Sequence, residues 1–280
     1  MGKKITTALL LFLAFSLNAQ EKTDNVKTKW KKSGNITFLL NQSSFSNWVA
    51  GGDNAASGNL GLNYDFNYAN GDLTWDNKLI IAYGLNSIKG TGTRKTDDLF
   101  EFNSLAGKKA TENWSYSFFL NFKTQFSNGY DYSKTPKVKT SAFLAPGYLS
   151  FGPGMLWKKF EHFSVNLSPL SSKITLVSDE FSGNYGVDLG ENTRYELGFN
   201  ASLNHKTTLM KNVTMENRVN VYANYLENPQ NLDIDYQLSF VMQINTYLST
   251  NLNFHTIIDD NASSKIQFKE VFGLGVNYLF

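Results

Sequence analysis

The residues that could carry out catalysis are few and lie far apart in the chain. There is no cysteine, and the three histidines are His162, His205 and His255. A histidine that acts as a general base needs its nucleophile within hydrogen-bond reach, but the alternation around His205 turns its neighbours Ser202 and Asn204 to the opposite face. Three separated histidines also lack the spacing of the usual transition-metal sites. We therefore expect no enzyme and no cofactor, and a lipid hydrolase is the less favoured alternative.

Two segments carry oxygen groups of the kind that bind calcium. They are Gly51-Gly52-Asp53-Asn54 and the acidic stretch that contains Asp179, Glu180, Asp188 and Glu191. Neither has the spacing of an EF-hand loop, so the sequence favours solvated loops over a metal site.

Nine further charged residues fall on the polar face of alternating segments. They are Asp65, Asp76, Lys78, Glu101, Lys123, Glu196, Arg218, Asp235 and Lys269. Five are acidic and four are basic, and balanced charges in a narrow interior more often pair than form a filter of one sign. We expect these side chains to face a lumen.

The segments that position these residues alternate with a period of two. Between Asn59 and Tyr68, apolar or aromatic side chains take every even position, and polar residues or glycine take every odd one. Only an extended strand separates two such faces, and Asn70-Gly71 then gives a hairpin signal. The pattern predicts strands at 34–45, 57–68, 72–86, 98–109, 114–127, 146–157, 163–177, 191–207, 213–226, 234–246, 250–258 and 265–280.

An even number of long strands, joined alternately by short and longer connections, is typical of outer-membrane barrels. A strand of about 9 to 11 residues crosses a bilayer at a barrel tilt, and most segments here reach that length. The sequence therefore predicts an all-β fold, an antiparallel transmembrane β-barrel of about twelve strands, with ten or fourteen as alternatives. Short turns would be periplasmic and the longer loops extracellular.

Two polar residues fall in the lipid-facing phase of this assignment, Asn77 and Glu270. Since a charge at the middle of a bilayer costs about 2 kcal/mol or more, we expect Glu270 at or beyond the membrane interface. The last strand ends in an alternating apolar series, Phe272, Leu274, Val276, Tyr278 and Phe280. This ending resembles the signal by which outer-membrane proteins reach the barrel-assembly machinery.

The N-terminus has the layout of a secretory signal peptide, with two lysines, an apolar stretch from Ile5 to Leu17 and Ala19 at the cleavage point. We expect cleavage after residue 19, a polar periplasmic segment at 20–33 and a barrel at 34–280. The net charge of +2 then falls to zero in the mature chain, since the leader carries two lysines and no acid. A chain without a basic field is a poor candidate for nucleic-acid binding.

Three segments resemble a Bacteroidetes outer-membrane family known as domain of unknown function three-zero-seven-eight. They are FSNWVAGGDN at 45–54, SPLSSKIT at 168–175 and GVDLGEN at 186–192. The resemblance implies an outer-membrane barrel in a Gram-negative bacterium over nearly the whole mature chain. The family brings no agreed activity, so it implies no catalytic residue.

The sequence favours a narrow channel for a small polar solute. A closed barrel that serves as a structural or accessory partner of a surface assembly is the alternative. Expected partners are outer-membrane lipid and lipopolysaccharide, the barrel-assembly machinery during biogenesis and the solute itself, with a monomer as the default. The longest loop, 128–145, either folds inward or stays a mobile surface loop.

Overall fold

The computed structural model describes residues 29–44, 54–160 and 162–280. The predicted signal peptide, most of the polar segment and residues 45–53 lie outside the described residues. No helix in the described part of the chain has the length and apolar character needed to cross a membrane.

Nearly all of the described chain is β-strand. The strands are β1 (Trp30–Ser43), β2 (Ala55–Asn70), β3 (Leu73–Ile88), β4 (Gly92–Lys109), β5 (Trp114–Thr124), β6 (Gly129–Asp131), β7 (Val138–Ser141), β8 (Gly147–Phe160), β9 (Phe163–Leu176), β10 (Thr193–Met210), β11 (Val213–Asn224), β12 (Leu232–Gln243), β13 (Leu248–Asp259) and β14 (Ser263–Leu279). A short 3-10 helix covers Asp179–Phe181.

Twelve of these strands form a closed antiparallel barrel in the order β1-β14-β13-β12-β11-β10-β9-β8-β5-β4-β3-β2, and β6 and β7 form a separate two-stranded ribbon. The predicted twelve-stranded barrel is therefore confirmed. The ribbon lies in the 128–145 loop, where no strand was predicted. Strand β4 begins at Gly92 rather than near residue 98, because Gly90 and Gly92 adopt positive φ angles of 89° and 82° and close a tight turn.

The barrel buries polar side chains and exposes apolar ones. Its most completely buried side chains include Glu196, Asn166, Thr175 and Ser168, each no more than 2 % exposed. Its outer face carries exposed apolar residues on many strands, among them Phe38, Leu60, Tyr116, Leu170, Tyr195 and Phe268. A soluble protein does not expose apolar surface on this scale, whereas lipid accepts it.

The barrel closes between β1 and β14, where the register runs from Asn35↔Leu279 to Leu40↔Leu274. Gly34 and Phe280 exchange backbone hydrogen bonds of 2.7 and 3.0 Å. The Phe280 ring lies over Gly34, so that a Cβ on this glycine would come within 2.6 Å of the ring. The predicted C-terminal series faces outward, with Phe272, Leu274, Val276, Tyr278 and Phe280 all exposed.

The two ends of the barrel differ in their connections. The short-turn end carries the β2–β3, β4–β5, β8–β9, β10–β11 and β12–β13 turns and both ends of the described barrel. The long-loop end carries the 125–146, 177–192 and 225–231 loops together with two tight turns, β3–β4 and β13–β14. Strand alternation then decides which side chains enter the lumen between these ends.

Candidate functional site

An ion pair crosses the full diameter of the barrel. Lys78 on β3 and Glu216 on β11 belong to strands with five barrel strands between them in either direction. The Lys78 Nζ atom lies 2.7 Å from Glu216 Oε1, and the side chains are 18 % and 20 % exposed. A contact of this length between opposite walls divides the lumen at that point.

Two further ion pairs span the lumen beside the first. Arg218 Nη1 on β11 lies 3.5 Å from Glu101 Oε1 on β4. Lys123 Nζ on β5 lies 2.6 Å from Asp235 Oδ2 on β12. We refer to the six residues of these three pairs, Lys78, Glu101, Lys123, Glu216, Arg218 and Asp235, as the partition.

Neutral side chains tie the partition into one network. The Asn103 amide donates to Glu101 at 2.9 Å, and the Gln237 amide donates to Asp235 at 3.1 Å. His255 Nε2 lies 2.8 Å from the same Asp235 carboxylate. The second carboxylate oxygen of Glu101 is buried and has no hydrogen-bond partner among the described residues.

The partition separates two cavities of about 370 and 420 Å³ that lie on either side of the β3–β11 diameter. The first lies against β4, β5 and β8 to β10, and its lining reaches Lys158 and His162 at the short-turn end. The second lies against β1, β2 and β12 to β14, and its lining reaches Asn35 and Gln243 at the same end. Amide and hydroxyl side chains outnumber apolar ones in the first lining, and the two kinds are about equally frequent in the second. Both cavities therefore offer polar walls that approach the short-turn end.

A second charged cluster lies toward the long-loop end. Lys173 Nζ on β9 is 2.6 Å from Asp233, 3.7 Å from Glu196 and 3.8 Å from Asp259. Arg194 lies 3.3 Å from Glu196. These five residues form what we call the upper cluster. Its members come from β9, β10, β12 and β13, so the cluster lies on one side of the lumen, toward the long-loop end.

Two loops fold together over the long-loop end and form a cap. Ala145, Val177, Phe181 and Val187 make a buried apolar core between the 125–146 and 177–192 loops. The Tyr185 hydroxyl donates to the Thr140 carbonyl, and burial raises the pKa of this tyrosine. The 128–145 loop is thus held by its neighbour at the mouth of the barrel.

The cap is also fastened to the barrel wall. Arg194 Nη1 donates to the Gly186 carbonyl at 3.1 Å and Nη2 donates to Glu227 at 2.9 Å. A Cβ on Gly186 would come within 3.0 Å of Asn261 in the β13–β14 turn. The 177–192 loop therefore extends from β9 and β10 across the mouth above β11 and β12.

The nine charged residues named from the sequence have different surroundings. Five belong to the partition, and Glu196 belongs to the upper cluster. Asp65 lines both cavities, Asp76 faces Lys158 at 3.6 Å, and Lys269 pairs with Asp97 at 2.8 Å.

The sequence reasoning missed several partners of these groups, namely Asp97, Lys173, Asp233 and Glu216. Glu216 shares the alternation phase of Arg218 two residues later, so the same pattern could have found it. The pairings themselves depend on which strands stand opposite each other, which alternation does not give.

The three histidines occupy separate surroundings, apart from one ring contact. His255 binds Asp235 in the partition, whereas the His162 and His205 rings have centroids 6.1 Å apart at the short-turn end. Ser202 lines the first cavity, while His205 packs against the Phe163 ring. In the described ranges, no group of three or more potential metal ligands comes together.

The expected outward position of Asn77 is wrong. Its side chain is 1 % exposed and lies along the β2–β3 pair, where it donates to the Phe66 carbonyl at 3.1 Å. The pairing of β2 with β3 is interrupted between Asp65↔Lys78 and Tyr68↔Trp75. The Asn77 amide therefore supplies the hydrogen bond to the Phe66 carbonyl. Glu270, by contrast, is exposed on the outer face next to Phe268 and Phe272.

Comparison with known proteins gives no role for any residue of this chain. No curated protein matches the chain. An outer membrane channel from Pseudomonas putida F1 is 11% identical over 92% of this chain and 99% of that chain, with a TM-score of 0.40. The translocator domain of autotransporter NalP from Neisseria meningitidis is 9% identical over 99% and 96%, with a TM-score of 0.38. OmpF of Salmonella typhi, in complex with daunomycin, is 10% identical over 93% and 100%, with a TM-score of 0.28.

A family model also matches the chain, over residues 40–130. This range includes the first of the three segments on which the resemblance was based, and the other two lie outside it. Residues 40–130 match the model of the family described as Protein of unknown function (DUF3078), and the chain that contains them folds as a closed twelve-stranded antiparallel β-barrel.

Proposed function

We propose that this protein is a gated, narrow outer-membrane channel for small uncharged polar solutes. The observation that carries the proposal is the partition, a set of ion pairs between opposite walls with a polar cavity on each side. Such a lumen is closed by contacts that can separate without unfolding a strand.

The proposed location rests on the outer surface. Exposed apolar side chains surround the barrel, and Trp30, Trp75, Trp114 and Tyr116 are exposed near the short-turn end. Exposed aromatic residues near one end of a barrel wall are typical of the level at which a membrane meets water. We assign the short-turn end to the periplasm and the long-loop end to the outside, where lipopolysaccharide surrounds it. Export by a cleaved leader and delivery through the C-terminal aromatic series belong to the same proposal.

The proposed class of solute follows from the pairing of the charged side chains in the lumen. Lys78, Lys123 and Arg218 each contact a carboxylate across the lumen, so these cations do not form a filter of one sign. The walls between them offer amides and hydroxyls such as Asn103, Asn121 and Ser150. Groups of this kind both donate and accept hydrogen bonds, which suits a neutral solute rich in hydroxyl or amide groups.

Gating follows from two sets of contacts. The cap and the upper cluster lie at the long-loop end of the lumen, and the partition divides its middle into two narrow cavities. We expect the wild-type barrel to be closed most of the time, with rare openings when both sets of contacts rearrange.

Solute uptake into proteoliposomes tests the proposal. Vesicles with the wild-type protein, with a deletion of residues 130–142 and with Lys78→Ser/Glu216→Ser would be compared for swelling in neutral sugars of increasing size. We expect slow uptake by the wild type, and faster uptake of small sugars by each variant. A barrel that admits no solute in any of the three forms would contradict the channel.

The alternative of a closed accessory barrel has its own supporting observation. The apolar core of the cap and the two charged clusters give the lumen more internal structure than an open pore needs. Absence of uptake in all three forms, with a folded barrel, would favour this alternative.

A further inference from the structure

The two ends of the barrel carry opposite charge. The described segments of the short-turn end, 29–32, 70–76, 108–114, 158–160, 162–163, 206–213 and 243–248, contain nine lysines and three carboxylic residues. The described loops of the long-loop end, 88–92, 124–147, 176–193, 224–232 and 259–263, contain eight carboxylic residues and four lysines. This difference in charge indicates that the two ends of the barrel face different surroundings.

Three of the lysines at the short-turn end lie on the outside of the wall. Lys32 lies on the same, outward-facing side of β1 as the exposed residues Ile36 and Phe38. Lys108 on β4 stands in register with the exposed Leu73 and Tyr116. Lys159 at the end of β8 is exposed, and its Nζ lies 5.5 Å from the centroid of the Phe160 ring. We call these three residues, Lys32, Lys108 and Lys159, the lysine belt.

The lysine belt lies at the height of the aromatic residues that mark the interface. The Trp30 ring, two residues before Lys32, contacts Tyr68 and Trp75, with ring centroids 5.2 and 5.7 Å away. Lysines beside such rings extend their amino groups to the level of lipid phosphates. The belt spans the continuous arc β1-β2-β3-β4-β5-β8.

The lysines of the belt have no acidic partner in the part of the chain that the structure describes. Among the described residues, none of the three lysines contacts a carboxylate within 4.0 Å, whereas Lys78, Lys123, Lys173 and Lys269 inside the barrel pair with acids. Exposed, unpaired lysines at headgroup height are the arrangement that attracts anionic lipid.

We infer that the lysine belt binds the phosphate groups of anionic phospholipid in the periplasmic leaflet. The inference rests on the proposed function for the assignment of the short-turn end to the periplasm. It commits to lipid because the side chains lie on the membrane-facing wall beside exposed aromatic rings, rather than on a surface that faces solvent.

Spin-labelled lipids give a direct test. The full-length mature protein would be placed in phosphatidylcholine vesicles, and the association of spin-labelled phosphatidylglycerol would be compared with that of spin-labelled phosphatidylcholine. We expect a preference for phosphatidylglycerol that decreases with salt. Since a lysine near an anionic surface strengthens association by about fivefold, Lys32→Gln/Lys108→Gln/Lys159→Gln should abolish the preference, and the matching arginine variant should retain it.

The control replaces lysines at the opposite end, Lys89→Gln/Lys134→Gln/Lys265→Gln, and should keep the preference. Equal association of both lipids with the wild type, or the same loss in the control, would overturn the inference. Sugar uptake measured on the same vesicles separates the two proposals. Uptake without lipid preference contradicts the lipid site alone, and lipid preference without uptake contradicts the channel alone.

Discussion

Shortening both residues of the diametric ion pair should open the lumen. At an effective dielectric constant of 20, charges 2.7 Å apart attract by about 6 kcal/mol. Much of this is offset because both side chains lose water when they pair. Measured couplings of close charge pairs begin at about 1.5 kcal/mol, and we take about 2 kcal/mol for a pair that is one-fifth exposed.

A loss of about 2 kcal/mol from the closed state corresponds to a roughly 30-fold rise in the ratio of open to closed channels. Lys78→Ser/Glu216→Ser removes the pair and also the side-chain bulk, so we expect at least this increase. Lys78→Ser alone should give less, because Glu216 keeps Arg218 Nε at 3.9 Å. The assay is single-channel recording in planar bilayers, with open probability and conductance measured for each form.

The matched control is Glu112→Ser/Lys211→Ser, which also removes one acid and one base, from exposed turns at the short-turn end. It should behave as the wild type. A folded Lys78→Ser/Glu216→Ser barrel with wild-type open probability would show that the ion pair does not close the path.

Three further predictions concern the cap and the barrel seam. Arg194→Gln should loosen the 177–192 loop, increasing both its hydrogen exchange and the frequency of channel opening, while exchange in the β1–β14 seam stays unchanged. Gly34→Val should lower stability toward urea by about 1–3 kcal/mol, because a Cβ at this position meets the Phe280 ring at 2.6 Å and a backbone oxygen at 2.8 Å; unchanged unfolding would contradict the seam geometry. Since burial raises the pKa of Tyr185, the bond to Thr140 is present below the ordinary tyrosine value of about 10 and is lost as pH rises through the raised pKa. Uptake should therefore increase only at that alkaline pH, and Tyr185→Phe should show no such step.

The barrel could be predicted from the sequence because its alternation is continuous. A strand that separates lipid from a polar lumen must place one residue type on each face, and segments such as Asn59–Tyr68 do so without interruption. Strand ends were less accurate where loops are glycine-rich, as at Gly90 and Gly92. There the positive φ angles let β3 and β4 continue to a tight turn.

The lumen was predictable only in part. Alternation assigned Lys78 and Glu101 to the inner face, but their partners lie on β11, which is far away in sequence. Such pairs depend on strand number, tilt and stagger, which fix the walls that face each other. The outward position expected for Asn77 failed because a local gap in the ladder turned its amide toward the backbone.

Cross-linking across the lumen tests the central claim most directly, and the absence of native cysteine makes the experiment clean. In Lys78→Cys/Glu216→Cys, a short thiol-specific cross-linker should join β3 to β11 within one chain. We predict that sugar uptake by this variant stops when the cross-link forms and returns when it is reduced. Uptake that continues unchanged in fully cross-linked protein would show that solute does not pass through the partition.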